Sequence, residues 1–222
     1  MGTLYLVRHG QASFGADDYD QLSALGQRQS VRLGQYLAQR GVHIDAAITG
    51  TLQRQRQTWD GIRNGAGLVL PAQQLAELNE YDSAAVIGAV HPHPLDKPDT
   101  PEKYRHHFRL LRDGLTQWMN GAVSPLGMPS YETFRAGIAK VLDDVRRNHQ
   151  GTVLVVSSGG PIATAVGLVL GCTPETTIEL NLRIRNSAVT EFSFNPKRHC
   201  LLTYNGLPHL DEEPYRDWVT YA

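Results

Sequence analysis

Cysteine is scarce: Cys172 and Cys200 are the two in 222 residues. They give no pairing framework and no metal-ligand spacing, so the chain reads as a cytoplasmic protein with reduced thiols. Charge of one sign is not in excess either. Lys+Arg is 21, Asp+Glu is 22 and the net charge is −1. A broad basic surface is thereby excluded, and no nucleic-acid partner is expected. No run approaches the ~18 apolar residues of a membrane span. The N-terminus runs straight into Thr3-Leu4-Tyr5-Leu6-Val7 without a signal-peptide pattern, so no membrane partner is expected. The sequence has no Gly-x-x-x-x-Gly-Lys-Ser/Thr loop and no Gly-x-Gly-x-x-Gly after a strand. P-loop nucleotide hydrolysis is excluded, and a dinucleotide fold is disfavoured. Internal repeats and low-complexity segments are also missing. What is present is 41% hydrophobic residues, enough for one core without a disulfide or metal staple.

The pattern along the chain alternates. Leu4–Val7 is a short apolar strand. Ser23 caps a helix reaching about Gln39, with Gly41 as its stop. Ile44–Thr49 is a second strand, with a helix from about Thr51, and Leu68–Leu70 reads as a short strand. Residues 91–98 are a proline-rich loop. Thr100-Pro101 opens a helix whose Tyr104, Phe108, Leu111, Leu115 and Trp118 form one apolar stripe. Ser130 caps another. Val153–Val156 is a strand buried on both faces, and Ser157-Ser158-Gly159-Gly160-Pro161 leads into an apolar helix, Ile162 to Leu170. Ala188–Phe194 and Leu201–Tyr204 are late strands. The expected fold is α/β, a mostly parallel central sheet with helices on both faces. Residues 1–210 read as one domain with a helical cap insertion at about 91–129, and 211–222 as a polar C-terminal tail.

Open α/β sheets bind ligands beyond the carboxyl ends of their strands. After the first strand come Arg8, His9 and Gly10. Arg54 lies in the first turn of the helix after the second strand. Ser157, Ser158, Gly159 and Gly160 open the helix after Val156. Two arginines, a histidine and two helix N-termini on one sheet edge make an anion site. Singly, each of these elements is ordinary surface or turn chemistry. Their occurrence after three separate strands is what points to a site.

Leu6-Val7-Arg8-His9-Gly10-Gln11-Ala12 resembles the signature of the histidine phosphatase superfamily, the phosphoglycerate mutase-like proteins. Leu22-Ser23-Ala24-Leu25-Gly26-Gln27-Arg28-Gln29, Leu52-Gln53-Arg54-Gln55-Arg56-Gln57-Thr58, Leu78-Asn79-Glu80-Tyr81 and Val155-Val156-Ser157-Ser158-Gly159-Gly160 are similar to its later motifs, in order. The resemblance spans residues 3 to 194. It implies hydrolysis of a small phosphomonoester through a phosphohistidine on His9. Arg8 and Arg54 would clamp the phosphate with Ser158 and Gly159, and Glu80 would be the general acid. Glu77, three residues earlier, is the competing acid. A small phosphorylated substrate or inorganic phosphate is the implied partner, and no metal or other cofactor is required. The oligomeric state is left open.

The departure lies at residue 158, where the family pattern has a second histidine and this chain has Ser158. An oriented donor is worth ~10²–10³ in rate, so the alternative is a phosphate-binding pseudoenzyme. Restoring an imidazole at 158 is expected to raise turnover, unless the pocket has closed around serine. Ser158 is no nucleophile elbow, because Val156 occupies the first glycine position of Gly-x-Ser-x-Gly. A phosphoglycerate mutase is less favoured. The loop Gln11-Ala12-Ser13-Phe14-Gly15 lacks the Glu-Ser-x-Trp-Asn such mutases resemble. His91-x-His93 and His106-His107 read as ordinary loop and helix histidines, because no acid or cysteine completes a metal-ligand set.

Overall fold

Val153–Val156 sits at the centre of the sheet. The computed structural model describes residues 1–13, 20–95 and 99–221. Phe14 and Gly15 of the loop after His9, and Asp96-Lys97-Pro98 of the proline-rich loop, lie outside the described residues. The strands are β1 (Gly2–Arg8), β2 (Ala46–Thr49), β3 (Ala72–Gln74), β4 (Thr152–Ser157), β5 (Val189–Asn195) and β6 (Arg198–Gly206). They form one sheet in the order β3-β2-β4-β1-β5-β6. β3, β2, β4 and β1 are parallel, while β5 and β6 are antiparallel.

Period-two alternation, with both faces covered, explains why β4 is apolar from Val153 to Val156. Val153 and Val155 join a core with Ile138, Val141, Val145, Ile162 and Val166. Leu154 and Val156 point the other way, into a core with Leu33, Leu37, Trp59 and Ile62. The helices α1 (Ala24–Gln39) and α2 (Gln53–Ala66) thus cover one face. α5 (Tyr131–Asn148) and α6 (Gly159–Leu170) cover the other. Three further helices, α3 (Ser83–Gly88), α4 (Pro101–Met119) and α7 (Pro174–Arg183), enclose a smaller core of Val86, Leu111, Leu115, Trp118 and Ile178. No helix among the described residues is long and apolar enough to cross a membrane.

The helix starts follow their caps. Ser23 accepts from the Gly26 N–H, Thr100 from Lys103 and Ser130 from Thr133. One expected strand is misplaced. At 68–70 the chain is still closing α2: Gly67 is left-handed (φ 68°), and the Leu68 N–H donates to Arg63 O at 2.8 Å. Pairing begins past Pro71, with Ala72 opposite Ala47. α7 is an element that the sequence pattern did not suggest. The stretch after residue 210 packs along α1. Gln29 Nε2 donates to Trp218 O at 2.6 Å and to Thr220 Oγ1 at 3.0 Å, and Arg32 pairs with Glu212 at 3.1 Å.

Candidate active site

β1 ends at Arg8, and the next three residues have every backbone N–H committed. His9 N–H donates to Ser157 O (2.9 Å), Gly10 N–H to Thr58 Oγ1 (3.0 Å) and Gln11 N–H to Gln29 Oε1 (2.8 Å). The approach of this segment to α1 is close. A Cβ on Gly10 would meet Gly26 O at 2.5 Å, and one on Gly26 would meet Gln11 O at 2.1 Å. Glycine at both positions is therefore a packing requirement. On α2, Arg54 and Thr58 lie four residues apart on one face. Thr58 holds Gly10, and Arg54 reaches His9.

His9 is buried. Its Nδ1 is 2.8 Å from Gly10 O, and Arg54 Nε donates to its Nε2 at 3.3 Å. The carbonyl fixes the proton on Nδ1, so the lone pair lies on Nε2. Burial, then the charges of Arg8 and Arg54, push the imidazole well below its ordinary pKa, against a smaller opposing pull from Gly10 O. His9 is accordingly neutral at pH 7. Arg8 is buried and donates through Nη1 to Ile184 O. Arg54 Nη1 pairs with Asp20 Oδ1 at 2.8 Å, and the other Asp20 oxygen accepts from Gln53 N–H at 2.8 Å. Asp20 thus supplies the side-chain cap of α2, where Leu52 has none.

Glu80 lines the same cavity as Arg8, His9 and Arg54. Its two oxygens accept from Gly160 N–H, in the first turn of α6, at 3.2 and 3.1 Å. Burial raises its pKa. The Gly160 N–H, the two arginines and the Tyr81 N–H offset part of that rise. A Cβ on Gly160 would stand 2.3 Å from Glu80 Oε1. Glu77 is elsewhere: it pairs with Lys140 at 3.2 Å and is absent from the cavity lining. The backbone accounts for the separation, since the 3-10 turn holding Glu77 ends at Leu78 and Asn79 is extended.

Two expected site residues are not brought to the cavity. Ser158 is fully buried, and its Oγ accepts from Gln55 Nε2 at 2.8 Å. The same Gln55 nitrogen donates to Leu78 O at 3.0 Å, which Ser157 Oγ also reaches at 2.7 Å. Gly159 is buried against Asn181, whose Oδ1 would be 2.6 Å from an added Cβ. The glycine whose amide faces the site is Gly160.

The cavity encloses about 400 Å³. Beyond the four charged and titratable groups it is walled by residues that sequence reasoning missed. Tyr104, His107 and Phe108 come from α4, Asn181 from α7, and Tyr221 from the chain end. His107, not its neighbours Arg105, His106 or Arg109, lines the opening. His106 Nδ1 lies 2.8 Å from an Arg109 nitrogen, and its ring stands edge-on to His91. Thr173-Pro174, a cap and first-turn proline like Thr100-Pro101, is the signal that marks α7.

An α/β sheet with a buried imidazole, two guanidinium groups and a carboxyl group at its strand ends is the architecture of a phosphate-handling α/β protein. The chain belongs to the histidine phosphatase superfamily (branch 1), whose pattern matches residues 4–206, a superfamily of phosphatases and mutases. It is similar to a 2,3-bisphosphoglycerate-dependent phosphoglycerate mutase of Chelativorans sp. (strain BNC1). Identity is 33%, over 82% of this chain and 87% of that protein. A phosphoglycerate mutase of Candida albicans is 32% identical over 50% of this chain, but the match covers only 46% of that protein. Among solved structures, a phosphoserine phosphatase of Entamoeba histolytica in complex with 3-phosphoglyceric acid superposes with a TM-score of 0.66. It covers 95% of this chain and 100% of that one at 21% identity, a likeness of fold.

Proposed function

We propose that the protein hydrolyses small phosphomonoesters through a phosphohistidine on His9. The supporting observation is the state of that ring: Nδ1–H is engaged by Gly10 O, so the lone pair lies on Nε2, where Arg54 Nε donates to it at 3.3 Å until a phosphate oxygen takes that donor. Nε2 displaces the ester oxygen from phosphorus, forming a P–N bond as the P–O bond breaks. Glu80, whose proton affinity is raised by burial, delivers its proton to the leaving alcohol. Water then attacks the phosphohistidine, returning a proton to Glu80 and releasing phosphate. Arg8 and Arg54 stabilise the charge spread over the transferring oxygens. No step uses a metal or other cofactor. α4, from the stretch read as a cap insertion, contributes Tyr104, His107, Phe108 and Leu111 to the wall over this end of the sheet.

Ser158 at the family's second histidine position favours one other reading, a phosphate-binding protein without turnover. A panel of phosphomonoesters assayed with and without chelator separates the two. Hydrolysis insensitive to chelator, with an acid-labile and base-stable phosphoenzyme, supports the enzyme. Phosphate binding without hydrolysis of any ester supports the other reading.

A further inference from the structure

The cavity changes character along its length. Its cations among the described lining residues, Arg8 and Arg54, both sit beside His9. Away from them the wall is apolar and aromatic: Tyr104, Phe108, Leu111, Leu182 and Tyr221. The apolar stripe of α4 shows how this arises. Its later members, Leu111, Leu115 and Trp118, are buried in the smaller core. Its first two, Tyr104 and Phe108, continue on the same face but leave 40% and 39% of their surface uncovered. The stripe outruns the core and projects into the cavity.

The arginines on α4 are directed away from this wall. Arg105 pairs with Glu102 at 2.6 Å, Arg109 meets His106 and Arg112 pairs with Glu179; none of the three lines the cavity. His107 does line it, and burial lowers its proton affinity, so it adds a hydrogen-bonding group without charge. A carboxylate placed here would lose its hydration without gaining a counter-charge, which is costly. An apolar group would cover exposed rings and gain from leaving water.

We propose that this site selects phosphomonoesters of apolar alcohols, a short alkyl chain or a single ring without a carboxylate, seated against Tyr104 and Phe108. The inference rests on the reading that phosphate occupies the Arg8–His9–Arg54 end. A volume of about 400 Å³ lies in the lower part of the range for small-molecule sites, in keeping with one phosphate and one such group.

The test is a series of ethyl, butyl and hexyl phosphate, set against 3-phosphoglycerate and phosphoserine. The alkyl alcohols have nearly equal acidity, so the series varies burial and not leaving-group chemistry. kcat/KM should rise by about four-fold for each methylene that is buried. Both carboxylate-bearing esters should fall at least about ten-fold below hexyl phosphate. Phe108→Ala and Tyr104→Ala should compress the hexyl-to-ethyl ratio. A parallel series of alkylphosphonates, whose P–C bond is not hydrolysed, is measured by calorimetry. Length-dependent phosphonate affinity without ester turnover would keep the selectivity and discard hydrolysis. A flat alkyl series, a preference for phosphoglycerate, or no phosphonate binding would overturn the selectivity.

Discussion

At the inner end of the cavity Arg8 and His9 hang from the end of β1, joined by Arg54 on α2 and by Glu80, which is bonded to the first turn of α6. At the outer end the side chains come from α4, α7 and the last residues. His9, Gly10 and Gln11 have every N–H bonded, and the register of β1 on β4 places Arg8 opposite Ser157. Tyr104 and Phe108, by contrast, sit in the N-terminal half of α4, and their rings stay partly uncovered. The inner end is rigid and suited to chemistry common to many esters. The outer end follows the packing of α4 and α7 and, under the proposed function, is suited to choosing among them.

The sharpest way to break this comparison is at His9. His9→Ala should lower turnover by about 10⁴-fold or more, since a nucleophile acts with its partners as a unit. It should also remove any covalent phosphoenzyme, and the thermal transition should stay close to wild type. Residual turnover within ten-fold of wild type would remove the inner end from the reaction.

Glu80→Gln should cost about 10²–10⁴ in kcat, with the smallest loss for esters whose leaving group needs no proton. Its pH profile carries the sign. His9 must be neutral and its pKa is lowered from 6.5, so the rate rises with pH through a point below 6.5. Glu80 must be protonated and its pKa is raised from 4.5, so the rate falls with pH through a point above 4.5. Glu80→Gln should abolish the fall and keep the rise. Measuring both proteins on one substrate cancels the titration of the ester itself. A descending limb that survives in the variant would assign the proton to another group.

Arg54→Ala should cost about 10²–10³ in kcat/KM and weaken vanadate binding, with Arg54→Lys recovering part, because a point charge lacks the planar fork. It has a second signature. Arg54 is one of the charges that depress His9, so its removal should move the rising limb to higher pH. Unchanged vanadate affinity would separate Arg54 from the anion site.

Most of the inner end was legible in the sequence because Arg8 and His9 stand at the end of β1 and Arg54 lies in the first turn of the helix that follows β2. Arg8, His9 and Arg54 needed only the strand ends to be found. The outer end depends on where a stripe leaves the core. The spacing of Tyr104, Phe108, Leu111, Leu115 and Trp118 gives the face of α4 but not the point along it where burial stops. The motif favours Glu80, and a helical reading lets Glu77, three residues earlier, compete with it. They part company because the turn ends at Leu78 and the chain extends at Asn79. Asp20 carried no signal, since its role as cap of α2 joins residues more than thirty positions apart in sequence. Ser158 and Gly159 were misjudged for a related reason. A motif gives their order along the chain, whereas Gln55, reaching across from α2, decides which way the serine hydroxyl faces.

Ser158 carries the prediction with the smallest effect, and the structure reverses its sign. Resemblance alone expects Ser158→His to supply a missing donor and raise turnover. In the structure the residue has no exposed surface, and its hydroxyl lies against Gln55 Nε2 at 2.8 Å. Gly159, the next residue, is pressed against Asn181 and Ile184, so the backbone has little room to retreat. An imidazole would displace the Gln55 carboxamide and leave its N–H groups to find new partners. Overpacking of this kind costs about 1–3 kcal/mol, and each kcal/mol lowers Tm by roughly 2–4 °C in a chain of this size. Turnover should stay level or fall by about a few-fold, because the disturbed carboxamide sits one residue from Arg54. Ser158→Ala, which removes the hydroxyl without adding bulk, should leave kcat within about two-fold. A ten-fold gain in Ser158→His with an unshifted Tm would mean that the ring swings into the cavity and that the inner end lacks a donor. That would bring residue 158 into the inner end, beside Arg8, His9 and Arg54.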